Sequence, residues 1–202
     1  MTSLRHIPEP RDAYLDAARA CILDVGWRRT TLTEVARRAG VSRMTIYRTW
    51  ADMPTLLGDL MTREWEGVVD AAAAGHAEHG APDEPGRTVE HLVATITGTV
   101  ATLRANELFV RIVEVDPELL LPYLLARRGR SQDHVLDLVT AAVAAGQAEG
   151  AVRAGNPVAL ARGLLLAVHG FVLSAHTMVD DEVTEAEVDA ELTTLLTRAL
   201  RP

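Results

Sequence analysis

Two short segments joined by a glycine constrain the fold of this chain more than any other feature. Residues 32–39 and 43–50 each have the length and apolar spacing of a short helix, and Gly40 lies between them. Thr31 stands three residues before Glu34, the spacing of a capping box in which each side chain bonds a free backbone N–H. Two short helices connected by a tight glycine turn are the pattern of a helix-turn-helix.

The second of these helices is predicted to have one side without any carboxylate. Ser42 can cap the helix, and a step of about 100° per residue places Ile46 and Trp50 together on the buried side. The remaining side carries Arg43, Met44, Thr45, Tyr47 and Arg48. Arginine can hydrogen-bond guanine edges or phosphate, tyrosine and threonine can donate to phosphate, and a methyl group can touch thymine. This composition favours a DNA major groove.

The charge of the chain is distributed unevenly. The formal net charge is -8, but residues 1–50 hold nine arginines and five acidic residues, which leaves +4 there and -12 in the remainder. No lysine is present, so every fixed side-chain cation is a guanidinium. A basic N-terminal region followed by an acidic one indicates that only the first part meets a polyanion.

The rest of the chain also has helical periodicity. Only eight residues are aromatic, and alternating strand-like runs are scarce. Residues 75–86 are rich in glycine, proline and acids and are predicted to form a loop, and Gly129 can interrupt the helix predicted after Pro117. The sequence predicts an all-α fold of about nine helices, at residues 11–25, 32–39, 43–50, 54–74, 87–104, 107–115, 117–150, 157–179 and 185–200.

The stretch GWRRTTLTEVARRAGVSRMTIYRTWADMPTLLGDLM resembles the DNA-binding signature of the TetR (tetracycline repressor) family of regulators. The resemblance covers roughly residues 11–61. It is specific because these residues fall in register together: Ala36, Gly40, Val41, Ser42, Thr45, Tyr47 and Trp50.

Two residues depart from the family pattern. Met44 stands where a glycine or another small residue is usual, and Met53 stands where a lysine commonly contacts phosphate. One phosphate contact of the family is therefore in doubt. Asp52 and Pro54 still favour the start of a fourth helix, as an N-cap and a first-turn proline.

The resemblance implies a two-domain transcription regulator. Residues 1–53 would form a three-helix DNA-binding domain with a short N-terminal arm, and residues 54–202 a helical domain for ligand binding and dimerisation. The protein would be a repressor that binds palindromic operator DNA as a homodimer and answers to a small molecule. The implied DNA contacts are Thr31, Thr33, Ser42, Arg43, Met44, Thr45, Tyr47 and Arg48.

Small side chains recur at spacings of three and four on the predicted helix from residue 157 to 179. They are Ala159, Gly163, Ala167, Gly170 and Ser174. A helical glycine costs roughly 1 kcal/mol relative to alanine, so two of them need a packing reason, within one subunit or between two. In proteins that resemble TetR the last two helices form the two-fold interface, which implies contacts at Gly163, Ala167, Gly170, Ser174, Leu192 and Leu196.

Polar side chains among the apolar ones of the larger domain are candidates for an effector site. The candidates are Trp65, His91, Thr95, Arg111, Tyr123 and His169, and each of them could equally be a surface residue or a hydrogen-bonded core residue. We expect an effector that is largely apolar. Its binding could lower the affinity for DNA or, as with a corepressor, raise it, because the sequence is compatible with both effects.

Other functions have little support in the sequence. His76 and His79 lie in a glycine-rich segment without the metalloprotease order of residues, and no phosphate-binding loop or nucleophile elbow is present. We therefore expect no enzyme activity, no cofactor and no metal. Cys21 cannot form an internal disulfide, and no signal peptide or apolar run of about 18 residues is apparent, so we expect a cytoplasmic protein without membrane contact. A regulator of the same family that answers to a protein partner, or binds DNA constitutively, remains an alternative.

Overall fold

The computed structural model describes residues 10–77 and 88–202, with side chains described for 10–68 and 88–202. Within these residues the chain forms ten α-helices and three short 3-10 helices, and no strand, so the all-α prediction is confirmed. The N-terminal arm and most of the predicted 75–86 loop lie outside the described residues. The α-helices are α1 Pro10–Val25, α2 Leu32–Arg38, α3 Arg43–Thr49, α4 Met53–Ala77, α5 Thr88–Arg104, α6 Glu107–Val115, α7 Leu121–Leu125, α8 Arg130–Ala148, α9 Pro157–Ser174 and α10 Glu185–Leu200.

The first of two compact units contains the described residues 10–64 and Glu107–Arg127. Its core is built from apolar residues at helical spacing, such as Leu15, Ala18 and Ile22 on α1, which are at most 4% exposed. Leu108 and Ile112 of α6 belong to the same core. Helix α6 therefore packs with the helix-turn-helix.

The second compact unit contains Trp65–Asn106 and Arg128–Pro202. Residues from α5, α8, α9 and α10 form its core, including Val100, Val143 and Leu164. Leu192 and Leu196 of α10 lie in this core and are each 1% exposed. The prediction that these two leucines contact a second subunit is therefore wrong, because their side chains are used inside their own subunit.

The compact units do not follow the predicted domain boundary between residues 53 and 54. The predicted boundary divides the chain by function, and compact units do not test such a division. It therefore stays a prediction. Helix α4 begins in the first unit and continues into the second, which starts at Trp65.

Three predicted helices differ from the structure by three or more residues. The helix predicted from residue 157 to 179 ends at Ser174 and is followed by a 3-10 turn at Ala175–Met178. The helix predicted from residue 117 to 150 is divided into a 3-10 turn at Pro117–Leu119, the short α7 and the long α8. Pro122 has no backbone N–H, so a continuous helix would lose a hydrogen bond there, and Gly129 forms the N-cap of α8. Helix α4 also continues to Ala77, three residues beyond the predicted end.

The segment Pro157–Met178 is long and apolar enough to cross a membrane, by length and composition only. Arg162, His169 and His176 interrupt this segment, so it is not an unbroken apolar run, and it does not conflict with the expectation of a protein without membrane contact. Only 22% of the most apolar window is buried. Much of this apolar helix is thus uncovered in a single subunit.

Candidate nucleic-acid interface

Helix α2 starts with half of the predicted capping box. The Thr31 Oγ1 accepts a hydrogen bond from the Glu34 backbone N–H at 3.2 Å, as predicted. The Glu34 carboxylate does not return to the Thr31 backbone; it accepts two hydrogen bonds from Arg37, at 3.0 and 2.6 Å. The hydrogen bond from Arg37 lowers the pKa of Glu34. The start of α2 is therefore capped by Thr31 alone, because the Glu34 carboxylate binds Arg37.

Gly40 makes the turn between α2 and α3. Its φ of 69° lies in the left-handed region, where a side chain is rarely tolerated. The Val41 backbone N–H donates to the Ala36 carbonyl at 3.0 Å, and Ser42 then caps α3 by accepting from the Thr45 N–H at 3.2 Å. The predicted turn and both helix starts are therefore present.

Helix α3 is held by two residues that are 0% exposed, Ile46 and Trp50. The Trp50 Nε1–H donates to the Asp59 Oδ2 of α4 at 2.7 Å. Arg11 of α1 pairs with the same carboxylate and lies over the indole, 5.8 Å from its centroid, and Tyr14 meets the indole edge-on at 6.3 Å. One buried aromatic residue thus connects α3 to α1 and α4.

The opposite side of α3 is open to solvent. Met44 is 75% and Tyr47 47% exposed, and Arg43 and Arg48 are exposed as well. Thr45 is half-buried, and its hydroxyl lies 2.9 Å from the Ser42 hydroxyl. Among the described residues, neither of the two arginines has a carboxylate partner. The structure thus brings the predicted contacts of α3 together on one exposed, cationic surface, and Thr31 and Thr33 are exposed at the start of α2.

The start of α4 is capped as predicted. The Asp52 Oδ1 accepts from the Thr55 hydroxyl at 2.6 Å and from its backbone N–H at 2.8 Å, and these hydrogen bonds lower the pKa of Asp52. Met53 is half-buried against the core of the first unit. The position where the family commonly has a lysine therefore contributes packing and no charge.

Comparison with known proteins places this surface in a family. Residues 15–60 match the family model of bacterial regulatory proteins, tetR family. An uncharacterized HTH-type transcriptional regulator of Mycobacterium tuberculosis is 32% identical over 179 residues, which are 89% of this chain and 88% of the relative. The chain belongs to the TetR family. As a member it is a transcriptional regulator with a DNA-binding helix-turn-helix, and not an enzyme.

Solved structures of other proteins share the fold over nearly the whole chain. The complex of SmeT with triclosan has a TM-score of 0.64 at 23% identity and covers 96% of this chain and 92% of its own. A protein of unknown function from Rhodococcus sp. RHA1 has a TM-score of 0.71 at 19% identity, with full coverage of both chains. At these identities the likeness concerns the fold alone.

The predicted stripe on α9 is exposed. Gly163, Ala167, Gly170 and Ser174 all face solvent in a single subunit, together with Leu166, which is 71% exposed. A Cβ built at Gly163 or Gly170 meets no described atom within 4 Å. Neither glycine is therefore needed for packing inside the described part of the subunit, which removes that explanation of the stripe.

The six predicted effector residues divide between the two compact units. Trp65, His91, Thr95 and His169 belong to the second unit and Arg111 and Tyr123 to the first. His91 is exposed, and the Thr95 hydroxyl donates to the His91 carbonyl of its own helix at 2.9 Å. His169 is half-buried, 3.5 Å from the Gln132 amide, and its burial lowers its pKa. A shared effector site for these residues stays a prediction.

Metal-binding and thiol chemistry find little support among the described residues. Within them, no three His, Cys, Asp or Glu side chains are grouped so as to hold a metal ion. Cys21 is 1% exposed in the core of the first unit, and burial raises the pKa of its thiol. The side chains of His76 and His79 lie outside the described part of the chain.

Sequence reasoning missed one exposed cation. Arg29 precedes the start of α2, and the sequence offers no local signal that distinguishes it from Arg28. The difference between them depends on carboxylates about 90 residues further along the chain.

Proposed function

We propose that this protein is a repressor that binds palindromic operator DNA as a homodimer and that a small, largely apolar molecule controls this binding. The observation that carries the proposal is the exposed side of α3, which presents Arg43, Tyr47 and Arg48 without a carboxylate among the described residues. These groups can hydrogen-bond base edges and phosphates. The buried Trp50 holds the helix that carries them.

The dimer is supported by the exposed apolar surface of α9 and α10. Gly163 and Gly170 leave open space on α9, and Leu166 and Leu195 are 71% and 52% exposed. Small residues let two helices approach closely, and a two-fold axis would bring the same surface of a second subunit against this one. Two α3 helices could then read half-sites one helical turn apart, or a multiple of it.

Control by a small molecule is supported by the likeness to SmeT, which was solved in complex with triclosan. We place the effector in the second unit, near His169, where polar groups stand among apolar ones. Ligand binding would favour a dimer in which the two α3 helices no longer match the operator. A regulator of this kind works where the DNA is, so we also propose a cytoplasmic location.

The proposal is tested first on DNA. The purified protein is titrated against the DNA that flanks its own gene, by fluorescence anisotropy, across a salt series and with random DNA as competitor. We expect specific, salt-sensitive binding with two subunits on each site. No preference over random DNA, there or in DNA selected from a random library, would contradict operator binding.

The effector is tested with a probe of apolar cavities, 8-anilinonaphthalene-1-sulfonate. We expect dye fluorescence to rise on binding to the full-length protein and the operator affinity to fall as the dye binds. His169→Trp, which fills the proposed site, should reduce dye binding and leave operator binding without dye unchanged. Dye binding that has no effect on the operator complex would instead favour control by a protein partner.

A further inference from the structure

Most arginines near the helix-turn-helix are already paired with carboxylates. Six of the nine arginines between residues 10 and 64 lie within 4 Å of an Asp or Glu oxygen in the described structure. The paired residues are Arg11, Arg19, Arg28, Arg37, Arg38 and Arg63. The three without a carboxylate partner among the described residues are Arg29, Arg43 and Arg48. Within the described residues 10–64, these three therefore offer DNA a cation whose charge is not already balanced.

Arg28 and Arg29 are adjacent and both exposed, but their surroundings differ. The Arg28 guanidinium donates to the Glu118 carboxylate at 2.8 and 2.5 Å and lies 3.7 Å from the buried Asp116 carboxylate. The Arg29 Nε–H donates to the Val25 carbonyl at the end of α1, at 2.9 Å. That hydrogen bond holds the side chain and leaves both Nη groups without a partner among the described residues.

Arg29 also lies beside a predicted DNA contact. It lines one surface recess of about 260 Å³ together with Thr31 at the start of α2. Two carboxylates share this recess, but Asp24 pairs with Arg38, and Glu34 pairs with Arg37. Their charges are balanced within the protein, so the Arg29 guanidinium remains available to an anion.

We propose that Arg29 contacts a phosphate of the DNA backbone and that Arg28 does not. The inference rests on the DNA binding proposed above and adds a residue to that surface. It also supplies a cation close to α2 in a chain that has a methionine at position 53. A phosphate contact is independent of base sequence and releases a counterion, so it can be measured without knowing the operator.

The test compares Arg29→Ala with Arg28→Ala in the full chain, on a fluorescent random-sequence duplex about three helical turns long. Affinity is measured by anisotropy over a series of salt concentrations. We expect Arg29→Ala to weaken binding by roughly tenfold or more and to lower the salt slope by about 0.9 for each phosphate that the variant no longer neutralises. Arg28→Ala should leave both quantities at the wild-type values. Arg29→Lys keeps the charge and should restore the salt slope.

Three results separate this inference from the proposal on which it rests. A wild-type protein without salt-sensitive binding would remove the DNA-binding proposal itself. A reduced slope in Arg43→Ala but not in Arg29→Ala would overturn only the role of Arg29. Equal reductions of the salt slope in Arg28→Ala and Arg29→Ala would show that Arg28 contacts DNA despite its ion pair. That result would overturn the proposed difference between the two arginines. Melting temperatures exclude unfolding, and Arg29→Gln replaces the alanine variant if that one is unstable.

Discussion

Tyr47 and Arg48 lie on the exposed side of α3, next to the buried Ile46. Their side chains contribute little to the core, so they can be removed without opening it. We expect Tyr47→Ala and Arg48→Ala each to weaken operator binding by about 1 to 3 kcal/mol, because each removes a contact to a base or a phosphate. Anisotropy titrations on the operator measure the loss, and circular dichroism confirms an unchanged melting temperature.

The matched control for Arg48 is an arginine that is exposed but already paired. Arg37→Ala removes a guanidinium that donates to Glu34, so we expect a much smaller loss of operator affinity. If Tyr47→Ala and Arg48→Ala both bind the operator as tightly as the wild type, α3 is not the recognition helix.

His169 makes stability depend on pH, because burial lowers its pKa in the folded protein. The unfolded chain has an ordinary histidine there, with a pKa of about 6.5. As the pH falls below that value, the unfolded state takes up the proton first, so folding loses free energy until the pH passes the lower pKa of the folded state. Above pH 6.5 the contribution of His169 is fully present.

We therefore expect His169→Gln to flatten the fall of the melting temperature between about pH 7 and pH 5. Thermal melts of the wild type and the variant over this range measure the difference. The same change at His134, an exposed residue of α8, is the control for replacing a histidine at the surface. Parallel profiles for wild type and His169→Gln would contradict the assignment.

Among the contacts between helices, one largely buried hydrogen bond, between Trp50 and Asp59, helps to hold α3 in position. The Trp50 indole N–H has Asp59 as its acceptor, and the Asp59 side chain is only 12% exposed. A buried donor left without an acceptor costs about 1 to 3 kcal/mol. We expect Asp59→Leu to destabilise the protein by at least that amount, because Arg11 loses its partner as well.

A double-mutant cycle with Trp50→Phe isolates this hydrogen bond. Once the indole N–H is gone, Asp59→Leu should cost clearly less, and the coupling free energy from urea denaturation should be about 1 kcal/mol or more. Asp52→Asn, at the exposed cap of α4, is a control for which no coupling to Trp50 is expected. Additive effects of the Trp50 and Asp59 changes would show that the hydrogen bond does not help to hold α3.

Helix starts and turns could be predicted because their signals are local. Ser42 and Asp52 hydrogen-bond backbone N–H groups three residues away, and Gly40 adopts the positive φ that the turn requires. Thr184 forms a full capping box with Glu187, three residues further along the chain. Glu34 is the exception, since Arg37, one turn further on, competes for its carboxylate.

At the scale of the whole molecule, prediction fails where a residue's neighbour is distant in sequence. Arg28 and Arg29 are indistinguishable in the sequence, and only the fold brings Glu118 to one of them. The sequence does not show which of three leucines on α10 lies at an interface: Leu192, Leu195 or Leu196. Apolar spacing does not reveal which side of the helix packs on the subunit's own core. The structure buries the first and the third and leaves Leu195 52% exposed.

The dimer proposal therefore predicts a different leucine on α10 from those chosen by spacing alone. Leu195→Glu should dissociate the dimer, because a carboxylate would be buried against the second subunit without a partner. Leu138→Glu on α8 is the matched control, since Leu138 is 46% exposed and lies outside the proposed surface. Gly163→Leu with Gly170→Leu should also dissociate the dimer, and in one subunit the added Cβ atoms have open space.

Sedimentation velocity at several protein concentrations distinguishes the possible surfaces. A Leu195→Glu variant that sediments as a monomer, beside a Leu138→Glu variant that stays dimeric, supports an interface of α9 and α10. The reverse result would assign the interface to α8. A dimer that survives the glycine changes would show that α9 does not pack closely on its partner. Because operator binding requires two α3 helices at a fixed spacing, each variant that dissociates should also lose operator affinity while its single subunits keep their fold.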